Sequence, residues 1–270
     1  MRKDRYAQII EIMQSQNIIS ISDLAKRLDC TEMTVRRNLD KLQAMNFVKR
    51  EHGYAVLLKN AQETDYYVQM EENKKEKEAI ASVALQYLIP FDSICLDSGT
   101  TIQQMVTMIP KNMPLSIITS SLTVALTLSD NSNTQVLIPT GFLNHANRSV
   151  LFAEPEHISQ YKANIAFISC RAFRVPGGAF EHTHNLTTTK RALASIAAKR
   201  ILLLDYSKWD VNSLCNSISL EELNTIITDD KAPVESVKAA ATFGTEIIIV
   251  NSDTKTIVEH YNPEKKPDTP

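Results

Sequence analysis

Apolar residues in the first 57 positions recur at helical spacing in three short stretches. Tyr6, Ile9, Ile10 and Met13 share one side of a first helix. A short extended piece follows at residues 18–21, and Ser22 is placed to cap a second helix over residues 23–28, with Leu24, Ala25 and Leu28 on one face. Asp29 and Cys30 make a brief turn, and Thr31 caps a third helix from Glu32 to about residue 45. Residues 47–57 form two β-prone arms around His52-Gly53, which predicts a hairpin. Residues 58–72 are polar and weakly patterned and read as a linker. A helix is expected over 73–88, with Ile80, Val83, Ala84 and Tyr87 inward and its Lys74-Lys75-Glu76-Lys77-Glu78 start as a solvated face.

From Ser93 the pattern changes. Short apolar runs at 93–96, 115–118, 134–138, 164–168, 201–204, 225–227 and 246–250 alternate with helical stretches at 101–109, 122–128, 188–199 and 234–242. Runs that are continuously apolar predict strands buried on both faces, and so a mostly parallel sheet between helix layers. The expected architecture is therefore α/β: an N-terminal winged helix-turn-helix over 1–57, a linker over 58–72, a larger domain over 73–260 and a frayed tail over 261–270.

Composition narrows the class. The 270 residues match about two domains at ~150 residues each. A hydrophobic content of 43% excludes a wholly disordered chain, and six glycines exclude a collagen-like one. No apolar run approaches the ~18 residues that span a bilayer, and the Met1-Arg2-Lys3-Asp4 start lacks an apolar signal core. Four scattered cysteines (30, 95, 170, 215) fit a reduced cytoplasmic setting. The net charge of −2 conceals an asymmetry: residues 1–60 hold 11 Lys/Arg against 7 Asp/Glu, +4, and the remainder 18 against 24, −6. A basic head on an acidic body points to a polyanion at the N-terminus.

The third helix supplies the chemistry for that polyanion. At 100° per residue, Val35, Leu39 and Leu42 cluster inward, while Thr34, Arg36, Arg37 and Lys41 are left facing away from them. A short helix, a tight turn and this helix make a helix-turn-helix whose second helix enters the major groove. Arginine reads guanine through paired hydrogen bonds, and Thr31, Thr34 and Lys41 suit phosphate or a thymine methyl. Lys49, Arg50 and His52 of the hairpin would act as a wing on the backbone or an adjacent groove.

Residues 5–57 resemble the winged helix-turn-helix of DeoR-type bacterial transcription regulators. The resemblance rests on Thr31-Glu-Met-Thr34-Val-Arg36-Arg37-Asn38-Leu39, against the family pattern Ser/Thr-x-x-Thr-Ile/Val-Arg-Arg-Asp-Leu. Asn38 replaces the usual Asp, and the wing has His52-Gly53-Tyr54 for the usual His-Gly-Gly. The resemblance implies binding to double-stranded operator DNA.

In the larger domain, the apolar runs end in small polar residues. Asp97-Ser98-Gly99-Thr100-Thr101, Thr119-Ser120-Ser121, Thr140-Gly141, Asp205-Tyr206-Ser207-Lys208 and Thr228-Asp229 follow five of them. In a parallel sheet these carboxyl ends line one crevice, where ligands bind. Hydroxyls and glycine before a helix cradle an anion, though ordinary capping gives much of the same pattern. Lys190 and Lys208 are candidate cations for a phosphate, with a surface lysine the plainer alternative for each.

Residues 74–250 resemble the sensor domain of the same family, which is similar in fold to ribose-5-phosphate isomerase. Matching stretches are Leu96-Asp97-Ser98-Gly99-Thr100-Thr101, Thr119-Ser120-Ser121, Phe167, Lys190-Arg191, Leu204–Lys208 and Ile227-Thr228-Asp229. The resemblance implies a repressor of sugar-metabolism genes controlled by a phosphorylated sugar; a homo-oligomer that sets the spacing of the DNA-binding domains, with no cofactor, is the expected form. Ser120 replaces the family's Asn, and Thr140 and Ser169 replace Gly; side chains at these two former glycine positions would narrow a site lined by backbone, and a pocket that takes a different ligand or has lost ligand binding is the alternative.

Two other classes are weighed beside a switch. An isomerase needs a positioned base, for which Asp97, Asp205 and Glu181 are available, although caps and solvated carboxylates explain them more simply. A DNA-binding protein whose large domain only oligomerises is the third reading. His182-x-His184 lacks further metal-ligand spacing and reads as a solvent loop.

Overall fold

Apolar spacing decides the first unit. In the computed structural model, which describes residues 5–16, 18–44, 48–51, 53–57 and 66–262, α1 (Arg5–Ser15) buries Ile9, Ile10 and Met13. β1 (Ile18–Ser20) leads into α2 (Ile21–Arg27), which buries Ile21, Leu24 and Ala25. The cap of α2 is Ser20 rather than Ser22: its Oγ accepts from the Asp23 amide at 3.0 Å, so the helix starts two residues earlier than the pattern predicts. Asp29 takes a left-handed φ of 47°, and the Cys30 amide returns to the Ala25 carbonyl at 3.0 Å, which closes the turn. α3 (Glu32–Ala44) then buries Val35, Leu39 and Leu42 completely. β2 (Val48–Glu51) and β3 (Tyr54–Leu57) form the expected hairpin, and β1 pairs on the far side of β3. Gly53 turns that hairpin at φ 88°, a conformation that favours glycine. Part of the stretch read as a linker is helical, as α4 (Tyr66–Glu71); residues 58–65, His52 and the last eight residues of the expected tail lie outside the described residues.

The chain divides into two compact units, Met1–Glu72 and Asn73–Pro270. The second begins with α5 (Lys74–Ala84), which tightens into a 3-10 turn over Leu85–Tyr87. There follow β4 (Ser93–Leu96), α6 (Thr100–Met108), β5 (Leu115–Thr119), α7 (Leu122–Leu128), β6 (Thr134–Leu137), β7 (Gly141–Asn144), β8 (Ser149–Phe152) and β9 (Ala163–Ile168). Next come β10 (Ala172–Arg174), β11 (Gly178–Glu181), α8 (His184–Ser195), β12 (Ala197–Leu203), β13 (Cys215–Ile218) and β14 (Thr225–Asp229). α9 (Val234–Ala241), β15 (Glu246–Val250) and β16 (Ile257–Tyr261) end the unit.

Eight strands form one sheet in the order β16-β15-β14-β12-β9-β4-β5-β6, and every pair except β15–β16 is parallel. Its two faces are covered as continuous apolarity requires. Ile94, Leu96, Ile165, Phe167, Ile201 and Leu203 pack on the side of α5 and α6, while Cys95, Ala166, Ile168, Leu202 and Leu204 pack on the side of α8 and α9. A smaller sheet, β10-β11-β13, and the hairpin β7–β8 are added around it. The four cysteines are free, and burial pushes the Cys95 and Cys170 thiols up to about 12.

Two further expectations need correction. The helix placed at 188–199 is displaced: α8 starts at His184, where Thr183 caps it, and residues 197–199 belong to β12. Alanine-rich sequence is compatible with either state there, and pairing with β9 settles it. The charged start of α5 is only partly solvated. Lys74 and Lys75 are exposed, but Glu76 and Lys77 are buried.

Leu39→Ala removes a fully buried side chain from the small core of the first unit. It is expected to cost that unit about 2–5 kcal/mol in urea unfolding. A change under ~1 kcal/mol would show that α3 does not depend on this packing.

Candidate functional site

The chain offers two sites, one in each unit. In the first, burial of Val35, Leu39 and Leu42 fixes which way α3 turns its polar side. The Thr31 Oγ1 accepts from the Thr34 amide at 3.3 Å, and the two hydroxyls lie 3.0 Å apart. Arg36 pairs with Glu32 at 3.4 Å, and Arg50 of the wing pairs with Asp40, with its amide donating to Gln43 Oε1 at 2.9 Å. The Lys41 ammonium stands 5.8 Å from the centre of the Tyr6 ring. Arg37 is exposed and pairs with no other described residue. Of the two helix arginines, Arg36 is therefore tied to a carboxylate, as Arg50 of the wing is, while Arg37 is left to meet a partner.

In the second unit the chain runs β4, β5, β6 in one direction across the sheet, then returns to β9 on the other side of β4. The space beyond the carboxyl ends of β4 and β9 is the switch point where open α/β sheets bind ligands. Asp97 leaves β4 here and Ser169 leaves β9. Asp97 Oδ2 accepts from the Ser169 amide at 3.1 Å and from its hydroxyl at 2.9 Å. Lys190, from α8, donates to the same oxygen at 2.6 Å, to Glu181 Oε1 of β11 at 2.8 Å, and to the Ser169 carbonyl. All three charged side chains are less than a tenth exposed. Burial opposes the charge on Asp97, but Lys190 beside it and the amides of Ser169 and Ser98 hold its pKa below the ordinary value. Burial likewise opposes the Lys190 charge, and Asp97 and Glu181 overcome it and raise its pKa.

Lys190 is therefore neither a surface lysine nor a free cation for phosphate, and Asp97 and Glu181 are not solvated carboxylates. Asp97, Glu181 and Lys190 form a buried cluster with a net charge of −1.

Directly after Asp97 comes the uncapped start of α6. Gly99 occupies the N-cap position with no side-chain hydrogen bond, and among the described residues no side chain caps the amides of the first turn, at Thr100 and Thr101. A Cβ on Gly99 would stand 2.0 Å from the Ser169 Oγ, so that serine fills the space over the glycine. Ser98 accepts from Asn147 at 3.3 Å, and Asn147 in turn accepts from Ser149 at 2.6 Å, which brings the β7–β8 hairpin to this edge. Sequence reasoning missed Asn147, because no local pattern marks a turn residue that acts across the fold.

Thr119 is fully buried and donates to the Leu96 carbonyl at 2.7 Å, a structural commitment. Ser120 is buried with its Oγ unpartnered. Gly141 is explained by strand pairing: a Cβ there would meet the Leu151 carbonyl at 2.0 Å.

Asp205 follows β12. Its Oδ1 accepts from Asn73 at 2.9 Å and the Ser207 amide at 3.0 Å, while its buried Oδ2 has no partner. Burial opposes its charge, and Lys208 and Lys77 outweigh burial and lower its pKa. Nearby, Asp229 accepts from the Tyr206 amide at 2.7 Å, and burial pushes its carboxyl up to about 6 against that bond. Glu76 pairs with Lys231. This is why the start of α5 is buried: it closes over the carboxyl ends of β12 and β14. His182 and His184 are exposed, with His184 opening α8 rather than lying in a loop. Among the described residues no group of three or more His, Cys, Asp or Glu is placed to hold a metal ion.

Comparison with known proteins identifies a family for each of the two units. A DeoR-like helix-turn-helix domain matches residues 5–61, and a DeoR C-terminal sensor domain matches residues 72–230. The chain belongs to the DeoR family of transcription regulators. It is 32% identical over 240 residues to the HTH-type transcriptional regulator YulB of Bacillus subtilis, covering 87% of this chain and 92% of that one. It is 31% identical over 231 residues to the regulator GolR of Listeria innocua (84% and 91% covered) and 26% identical over 231 residues to the glycerol-3-phosphate regulon repressor of Escherichia coli (85% and 92%). Among solved structures, ribose 5-phosphate isomerase A of Methanocaldococcus jannaschii is similar at a TM-score of 0.39 and 14% identity, over 51% of this chain and 55% of that one. The curated relatives are regulators, and this chain is a DNA-binding regulator rather than an isomerase. No helix among the described residues is long and apolar enough to cross a membrane.

Lys190→Met leaves Asp97 and Glu181 buried without their cation. It is expected to cost about 3–5 kcal/mol at pH 7. The sign with pH follows from the carboxylates. In the native chain Asp97 has a lowered pKa, so its stabilisation holds at neutral pH and is lost as pH falls through that value. In the variant the burial that opposes the Asp97 charge is no longer offset by Lys190, so protonation of Asp97 in acid relieves the defect. The gap between the two urea-unfolding curves should narrow from pH 7 to pH 4, and a gap independent of pH would contradict the assignment.

Proposed function

We propose that this regulator is a cytoplasmic repressor that binds operator DNA as a homo-oligomer, and that a phosphorylated sugar or polyol at the carboxyl ends of its parallel sheet changes its grip on DNA. The observation that carries this reading is the coincidence, at the β4–β9 switch point, of an uncapped helix start with a buried charge cluster. The backbone amides at Thr100 and Thr101 suit the phosphate, helped by the helix dipole. Ser98 and Thr100 add hydroxyls, and Lys208 adds a cation at the neighbouring strand end. The unpartnered oxygens of Ser120 and Asp205 suit sugar hydroxyls, since buried polar atoms without partners are costly and a ligand removes that cost. The names of the relatives favour repression, and the E. coli relative's name includes a phosphorylated polyol.

In the first unit, Thr31, Thr34, Arg36, Arg37, Lys41, Arg50 and His52 are the proposed DNA contacts, with Arg37 reading a base and the others positioning the backbone. Coupling between the two sites of about 1–3 kcal/mol would match ordinary allostery. The linking region around 58–72 would transmit it.

Two measurements test this. Arg37→Ala should cost about 1–3 kcal/mol of specific DNA binding and relax the footprint at one position; an unchanged affinity and footprint removes Arg37 from base reading. Titration of the DNA complex with glycerol 3-phosphate, ribose 5-phosphate, fructose 6-phosphate and inorganic phosphate should find a compound that shifts the affinity about 5–150-fold. Thr100→Glu, which places like charge on the phosphate cradle, should abolish that shift while leaving DNA binding intact. A normal response in Thr100→Glu would displace the cradle from α6.

A further inference from the structure

α3 carries one large apolar side chain on the side turned away from its own core. Met33 is 79% exposed, whereas Val35, Leu39 and Leu42 are fully buried. At about 100° per residue, Met33 and Arg37 both lie within ~30° of the direction opposite those three residues. No other residues of the first two turns point so directly outward. The polar neighbours are engaged elsewhere: Arg36 with Glu32, and Thr34 with Thr31.

A single exposed apolar side chain needs no explanation in general. Here its position gives one. Recognition helices contact base edges with their N-terminal residues, and Met33 is the second residue of α3. The major groove offers one apolar group on its base edges, the C5 methyl of thymine. An unbranched thioether with three rotatable bonds can settle against it.

We infer that Met33 is a specificity-determining residue that packs on a thymine methyl beside the base met by Arg37. The four-residue step between them spans about 6 Å along the helix, which is close to two base-pair steps of duplex. The inference rests on the reading of α3 as the helix that enters the groove.

The test uses the full chain and a duplex selected by that chain from a random-sequence pool. Each thymine of the selected site is replaced in turn by uracil, which lacks only the methyl. Wild type should weaken about fourfold at one thymine within about two base pairs of a guanine, the loss expected for one buried methyl group. Met33→Ala should bind the thymine and uracil duplexes equally, and Met33→Leu should restore the difference. Thermal unfolding should be unchanged in both variants, because the side chain is exposed. Identical uracil profiles for wild type and Met33→Ala would overturn the inference while leaving DNA binding by α3 intact. Failure of wild type to select any site would overturn the reading of α3, and the inference with it.

Discussion

The Lys190 ammonium, held between Asp97 and Glu181, is the contact around which the larger domain is organised. It joins the end of β4, β11 of the small sheet and α8, and it also takes the Ser169 carbonyl beyond β9. Burying such charges is expensive, and the cost is offset only when each one is paired and hydrogen-bonded. The cluster meets that condition for Asp97 Oδ2, which receives an ammonium, a hydroxyl and an amide. It also fixes the geometry of the switch point, because the loop from Asp97 leads straight into the uncapped turn of α6. On the proposed reading the protein spends a lysine on holding the crevice in shape, and leaves phosphate recognition to backbone amides.

Ser169 gives this crevice its individual character. Its side chain stands over Gly99, and its hydroxyl donates to Asp97. A glycine at this position would leave that volume free. The serine therefore reshapes the proposed site where a ligand would approach the backbone most closely. In the first unit a comparable economy holds: Glu32 and Asp40 neutralise Arg36 and Arg50, so the free charge of α3 is concentrated at Arg37 and Lys41.

The sequence made the local elements legible and the long-range contacts much less so. Periodicity located α3, the wing hairpin and the parallel strands, because buried faces leave a direct imprint on spacing. It could not place the partners of Lys190, since Asp97 and Glu181 are distant in sequence and each resembles an ordinary surface charge. The same limit hid Glu76 and Lys77, which look solvated within a charged run and are buried by packing against β14. The capping of α2 by Ser20 instead of Ser22 reflects a choice between the two serines that flank Ile21, which the burial of Ile21 decides. β7, β8, β10, β11, β13 and β16 were missed because short, partly exposed strands carry little pattern.

Linkage offers the most direct test of the central proposal, that occupancy of the crevice and DNA binding share one equilibrium. Calorimetric titration of the active phosphorylated sugar into the free chain and into the chain on its operator should give two different Kd values. Their ratio must equal the factor by which that sugar changes the affinity for DNA. Equal Kd values with and without DNA would contradict the account.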